Sequence, residues 1–245
     1  MLEYCYCGKM PDEERCGLMH SWFQTINDPR YDQITKTYQA VDIWSGAYAK
    51  IRMALCPLLD IESALPDKGT LMDVGCGAGM LLQWLALGQR NDKRRLIGLE
   101  IDSRRVALGM QICDRLAISD RVGLRVETFG DENTEKDLAA VVFVDVLHHM
   151  DYHLQKEMIL HAYELLESGG MLLIKDVGTS PVIKYLYNYL FDAMTGVTRI
   201  TQGKIGYYRS QSGWISLLGE CGFQSDVVDV RHIDFAPHIM MVGRK

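Results

Sequence analysis

The chain has 245 residues, enough for one large α/β domain with a small appendage, and 48% of them are hydrophobic, ample for a core. Against 26 Lys and Arg stand 32 Asp and Glu, a formal net charge of −6, and the largest basic cluster is Lys93-Arg94-Arg95, so a surface that tracks nucleic-acid phosphates is not expected. No apolar run approaches the roughly 18–20 residues of a membrane span, and the N-terminus is polar and acidic rather than a signal peptide, so a soluble, cytoplasmic protein is expected.

Residues 1–65 read as an irregular tail followed by helix. Cys5, Cys7, Cys16 and His20 have a C-x-C-x8-C-x3-H spacing that could supply four zinc ligands but matches no zinc module. Free thiols in a tail are the simpler reading, and no metal is expected. Seven scattered cysteines suit a reducing compartment. From Ile34 through Tyr38, Val41, Trp44, Tyr48 and Ile51 to Leu58 the apolar residues recur mostly three or four apart, which predicts helix over 33–59, with Pro57 and Pro66 at its exit.

The run Leu71-Met72-Asp73-Val74-Gly75-Cys76-Gly77-Ala78-Gly79 is the most informative in the chain. It predicts a buried strand entering a turn with glycine at alternate positions, where a ligand can approach a backbone that carries no Cβ. Met80 to Leu87 follow as an apolar helix. Strand, Gly-rich turn and helix open a nucleotide-binding α/β sheet. The dinucleotide fingerprint G-x-G-x-x-G would place its third glycine where Met80 stands, so a nicotinamide-dependent oxidoreductase is the least favoured alternative.

A second strand over 95–102 carries Glu100 near its tip, where a carboxylate can accept ribose hydroxyls. Asp102 is placed to cap a helix from Ser103. A third strand is expected near Val122–Phe129, followed by Gly130-Asp131, and a fourth over Ala139–Val144, an apolar run of the kind covered by helices on both faces. Asp145-Val146-Leu147-His148-His149-Met150 comes next. Leu165-Leu166-Glu167-Ser168-Gly169-Gly170 is expected to close a helix in a left-handed turn before a fifth strand over Gly170–Asp176. Pro181–Met194 is rich in aromatics, and Gly196, Gly203 and Gly206 follow, so a helical lid is expected over about 180–208. Ser210 starts a helix over 212–219, and two strands, near 224–230 and 238–242, flank a hairpin at Pro237. Alternation of strand and helix predicts a largely parallel sheet. Gly75, Glu100, Asp131, Asp145 and Asp176 then gather at the carboxyl ends of its strands, where such sheets bind ligands.

These landmarks resemble, in order, those of the class I S-adenosylmethionine (SAM)-dependent methyltransferases that act on small molecules. D-V-G-C-G-A-G is similar to the family's first motif, Gly98-Leu99-Glu100 to its G-x-E pattern, Asp145 to His149 to its D-x-L-H-H segment, and Leu165 to Gly170 to its LLxxGG turn. The likeness is good over Leu71–Val177, thinner over the last strands, and absent over the first 60 residues. It implies an α/β Rossmann-like fold over residues 66–245, with a largely parallel seven-stranded sheet flanked by helices. Residues 1–65 would form a tail and a helical cap over the cofactor.

The resemblance further implies SAM as cofactor, with S-adenosylhomocysteine (SAH) as its product. Around it are expected Asp73, Gly75, Cys76, Gly77, Gly79, Glu100, Ile101, Asp131, Asp145 and Val146, with Asp73 anchoring the amino-acid end and Asp131 the adenine amino group. Candidate substrate contacts are Tyr31 and Tyr38 on the N-terminal helices and Tyr207, Tyr208 and Arg209 beyond the lid. Methyl transfer to a hydroxyl needs a base near neutral pH, and His149, then His148, stands where the fourth strand meets the pocket. The aromatic segments favour a small or lipid-like organic acceptor, free or carrier-bound, methylated at oxygen. Carbon methylation of a polyketide or quinone-type molecule, and a SAM-binding scaffold without catalysis, are the alternatives. No N-P-P-[FY] tetrad of amide and amine methylation is present. Pairing into a homodimer is left open.

Overall fold

The computed structural model describes residues 20–88, 93–131, 134–177, 206–228 and 238–245. Cys5, Cys7 and Cys16, nearly all of the expected lid and the Pro237 hairpin lie outside these residues.

Among the described residues the N-terminal part forms helices α1 (His20–Asn27), α2 (Pro29–Gln39), α3 (Ile43–Leu55) and α4 (Leu58–Ala64). The continuous helix expected over 33–59 is therefore broken twice. Asp42 adopts an extended backbone and its carboxylate accepts from the Trp44 and Ser45 N–H groups, which starts α3 afresh. Pro57 then separates α3 from α4, because a proline has no N–H to continue the ladder. Asp28 likewise caps α2 ahead of Pro29, the residue type favoured at the first helical position.

The sheet is built from β1 (Gly69–Val74), β2 (Arg94–Glu100), β3 (Val122–Val126), β4 (Leu138–Val144), β5 (Leu166–Val177), β6 (Gln224–Val228) and β7 (His238–Arg244). Its order is β3-β2-β1-β4-β5-β7-β6. β1 to β5 pair parallel, while β7 runs antiparallel to both β5 and β6. The order reverses between β1 and β4, and a crevice for ligands opens at such a switch point. Among the described residues the strands are connected by helices α5 (Met80–Leu87), α6 (Ser103–Arg115), α7 (Tyr152–Leu165) and α8 (Gln211–Glu220).

Alternation along the strands divides the core. Leu71, Leu96, Val142 and Leu173 face one cluster, shared with α2 to α6. Met72, Ile97, Val141, Phe143 and Leu172 face the other, shared with α7 and α8. Both faces are covered, which is why β4 reads as an unbroken apolar run. Two boundaries differ from expectation. β3 stops at Val126, leaving Glu127 to Phe129 as loop. Helix α7 ends at Leu165 with Leu166 extended, so Gly169, at φ +79°, lies within β5 beside an irregularity in its pairing with β4 rather than at a left-handed helix cap.

Candidate functional site

The turn after β1 is fixed by β2. The Gly75 and Cys76 N–H groups both donate to the Leu99 carbonyl, at 2.8 and 3.1 Å, and the Gly77 N–H donates to Glu100 Oε2 at 3.0 Å. Gly77 has φ +58°, and a Cβ there would meet nothing within 4 Å, so this face of the loop is open to a ligand. Gly98 lets the loop sit against β2, since its Cβ would fall 2.6 Å from Cys76 Sγ. Glu100 is buried, and its other oxygen accepts from the Asp102 N–H at 3.0 Å. A carboxylate can accept about four hydrogen bonds, so two acceptor positions are left for hydroxyl groups.

Asp73 lies 4% exposed at the end of β1, and its carboxylate accepts no hydrogen bond from the described residues. Burial pushes its pKa up to about 7, with the Glu100 charge adding to the shift and Arg52 opposing it. Next to it is a charge cluster. Asp145, at the end of β4 with φ +56°, pairs with Arg52 Nη1 at 2.7 Å and with Lys175 Nζ at 2.6 Å.

The second centre is the single 3₁₀ turn Leu147–His149. Asp176, from the end of β5, accepts from the His148 backbone N–H at 3.1 Å and from His148 Nδ1–H. Both side chains are buried, and the Tyr208 ring stacks on His148 with centroids 5.3 Å apart and an interplanar angle of 8°. The turn is held from behind by Gln155 of α7, whose Nε2 donates to the carbonyls of Leu147, Met150 and Tyr207, at 3.0, 3.1 and 2.7 Å. His149 is different. Its Nδ1 is buried without a partner among the described residues, and burial, reinforced by His148, pushes its pKa down to about 4.

One cavity of about 500 Å³ joins the two centres. Of the residues expected from sequence it brings together Asp73, Gly75, Cys76, Gly77, Glu100, Ile101, Asp145, Val146, His148 and His149. Its remaining wall is mainly apolar and includes Met53, Met80, Met150, Leu154 and Met158.

Other expected residues lie elsewhere. Gly79 is the left-handed N-cap of α5, against Leu124. Asp131 is exposed and off the cavity, where β3 ending early leaves Glu127, Thr128 and Phe129 on the wall instead. Tyr31 donates to the Lys50 carbonyl, holding α2 to α3. Tyr38 is fully buried behind the glycine loop and donates to the Ala78 carbonyl at 3.1 Å. Tyr207 and Tyr208 support the His148 turn, and Arg209 binds Gln155 Oε1 at 2.7 Å and lies over the Tyr152 ring. These three brace the site from behind rather than line it. Asp176 was expected only at the ligand-binding edge, without a partner, and Arg52, Lys175 and Gln155 were not expected at the site. Only Asp176, an acid at a strand end, carried a readable signal.

This sheet order, with a glycine loop after β1 and an acid ending β2, is the architecture of the class I methyltransferases. A profile described as a methyltransferase domain matches residues 48–230, and the chain belongs to that family, whose cofactor is SAM. Its fold is that of solved structures at low identity. The SAM-dependent methyltransferase SibL in its apo form aligns with TM-score 0.62 and 18% identity, over 83% of this chain and 57% of its own. An O-methyltransferase family 2 protein from Planctomyces limnophilus, in complex with apigenin, gives 0.64 and 16%, over 89% and 63%. Magnesium protoporphyrin IX methyltransferase from Synechocystis, with bound SAH, gives 0.54 and 17%, over 87% and 83%. The chain thus spans less than two thirds of the length of the first two. No curated protein sequence matches it. Among the described residues no helix is long and apolar enough to cross a membrane.

The residues fit SAM. The open face of Gly77 admits it, Glu100 has acceptor positions for ribose hydroxyls, and Asp73 is a buried carboxylate with no hydrogen-bond donor of its own among the described residues, suited to an ammonium group.

Proposed function

We propose that the chain methylates a hydroxyl oxygen on a small, largely apolar acceptor, with His148 as the general base. The observation that carries this reading is the buried His148–Asp176 pair opening onto a cavity whose remaining wall is mainly apolar. With Nδ1–H bonded to a carboxylate, the neutral ring carries its basic lone pair on Nε2, and Asp176 would stabilise the imidazolium formed when that nitrogen takes a proton. His149 is the weaker candidate, because a group whose pKa is pushed down to about 4 holds a proton poorly near neutrality.

Bound SAM supplies a methyl group activated by a sulfonium. Glu100 and the Gly77 turn would hold its ribose side, Asp73 its ammonium, and Arg52 and Lys175, both paired to Asp145, present positive charge for its carboxylate. His148 would take the acceptor's hydroxyl proton as the methyl group passed from the sulfonium to that oxygen, with SAH as the leaving product. Methionine side chains adapt to irregular apolar shapes, which suits an aromatic or lipid-like acceptor. The O-methyltransferase bound to apigenin supports the reading by analogy of fold alone.

The test is transfer of labelled methyl from SAM to a panel of phenols, hydroxyquinones and long-chain enols. Transfer to oxygen that falls at least a hundredfold in His148→Ala supports the proposal. Transfer that persists in His148→Ala, or SAH binding with no acceptor turned over, counts against it.

A further inference from the structure

The carbonyl of Ala78, in the middle of the glycine loop, accepts two side-chain hydrogen bonds from the core side. Tyr38 Oη of α2 donates at 3.1 Å and Gln83 Nε2 of α5 donates at 2.7 Å. Both donors are 0% exposed. A third side is closed by α6, where a Cβ on Gly109 would fall 2.6 Å from the same oxygen. Water therefore has no access to replace a donor that is lost.

The other end of the same peptide is also tied, since the Gly79 N–H donates to the Cys76 carbonyl at 2.9 Å. The amides of Gly75, Cys76 and Gly77 are committed to Leu99 and Glu100. Of the loop amides from Gly75 to Gly79, only that of Ala78 has no acceptor among the described residues, and Ala78 lines the cavity. The Ala78 carbonyl and amide belong to adjacent peptide planes, so fixing one restricts the other.

We propose that Tyr38 and Gln83 are positioning residues for the cofactor: by holding the Ala78 carbonyl inward they set the path of the Gly77–Gly79 turn against which SAM binds, and through Tyr38 they make the N-terminal helix α2 part of the cofactor site. Tyr38 thus acts through the loop rather than as a wall for the acceptor. This rests on the reading of the cavity as the SAM site.

The test is calorimetric titration with SAH of the full-length wild type, Tyr38→Phe, Gln83→Leu and the double variant, each with its melting temperature. One neutral hydrogen bond to the loop corresponds to a loss of about fivefold in affinity. Each single variant is expected to bind SAH about fivefold more weakly, and the double variant weaker still. In wild type, SAH should also slow hydrogen exchange of the α2 amides, and Tyr38→Phe should remove that protection, because coupling between sites is reciprocal. Unchanged SAH affinity in both single variants, with only the melting temperature lowered, would reduce both residues to core packing and overturn the inference. Should the double variant fail to fold, Tyr38→Phe decides, since it keeps the ring and leaves Gln83 on the carbonyl. A wild type that does not bind SAH would instead defeat the reading of the cavity, and the inference with it.

Discussion

If Asp73 holds the ammonium group of SAH, as proposed, its raised pKa gives binding a pH dependence of definite sign. Its carboxyl is buried, and its pKa in the protein alone is pushed up to about 7 from an ordinary 3.8. Below about pH 7 it is therefore mostly neutral and offers an ammonium group no charge. An ammonium held against it favours the ionised form, so binding releases a proton in acid and affinity rises with pH until the pKa in the protein alone is passed. If the bound-state pKa falls below the range studied, affinity drops about tenfold per pH unit on the acid side, or roughly thirtyfold between pH 8.0 and 5.5. The same shift has a consequence for stability. Because the folded pKa lies above the unfolded one, Asp73 stabilises the protein alone fully below about pH 4, and that contribution is lost as the pH rises through about 7. The assay is calorimetric titration with SAH across this range in two buffers of different ionisation enthalpy, which counts the proton directly. Asp73→Asn should bind more weakly at pH 8.0 and show a flat profile. A flat wild-type profile, or the same slope in the Asn variant, would refute the assignment of Asp73 to the ammonium.

The other predictions concern the loop, the strand end, the dyad and the cap. Gly77→Val should still fold, with a left-handed backbone cost of about 1–2 kcal/mol, because its side chain enters open space; on the proposed placement of SAM it fills the cofactor's space, so SAH binding should be undetectable by calorimetry, and retained affinity would displace the site. Glu100→Ala removes the acceptor for the Gly77 and Asp102 amides and should weaken SAH binding about ten- to hundredfold, judged from bonds to charged groups. Asp176→Asn should lower turnover by about 10²- to 10⁴-fold while leaving SAH affinity within about twofold, because it disturbs the His148 tautomer and not the glycine loop. Glu62→Ala takes the acceptor from buried Trp84 Nε1 and one of two carboxylate partners from Arg30, which keeps Asp28, and should cost about 1–3 kcal/mol in chemical denaturation without altering the pH profile of binding.

The fold around the candidate cofactor site was legible because its signals are local. Glycines at alternate positions after an apolar strand, and an acid at the next strand end, are features of contiguous segments, and the chain forms the expected loop, strand and helix there. The acceptor half depends on contacts between distant segments. Asp176 meets His148 across a parallel strand pair, Arg52 reaches Asp145 from α3, and Gln155 gathers three carbonyls from two separate turns. No spacing encodes those meetings. Tyr38 illustrates the limit well. An aromatic on an amphipathic helix could as readily face a ligand as the core, and only the position of the Ala78 carbonyl decides it. Asp131 failed for a different reason: β3 ended three residues before the expected boundary, which carried the acid past the cavity and left Glu127 to Phe129 there. The broken N-terminal helix was readable in part, since Asp42 is a strong N-cap residue in front of a helical pattern.

In the proposed arrangement one cavity holds SAM on the Gly77–Glu100 side and presents its methyl group to the His148–Asp176 pair. A crystal structure of the full-length protein with SAH tests it most directly. Ribose hydroxyls on Glu100, the ammonium on Asp73, and the sulfur facing the His148 turn across an apolar space are expected. SAH bound with its sulfur turned away from His148, or seated anywhere other than against Gly77 and Glu100, would contradict it.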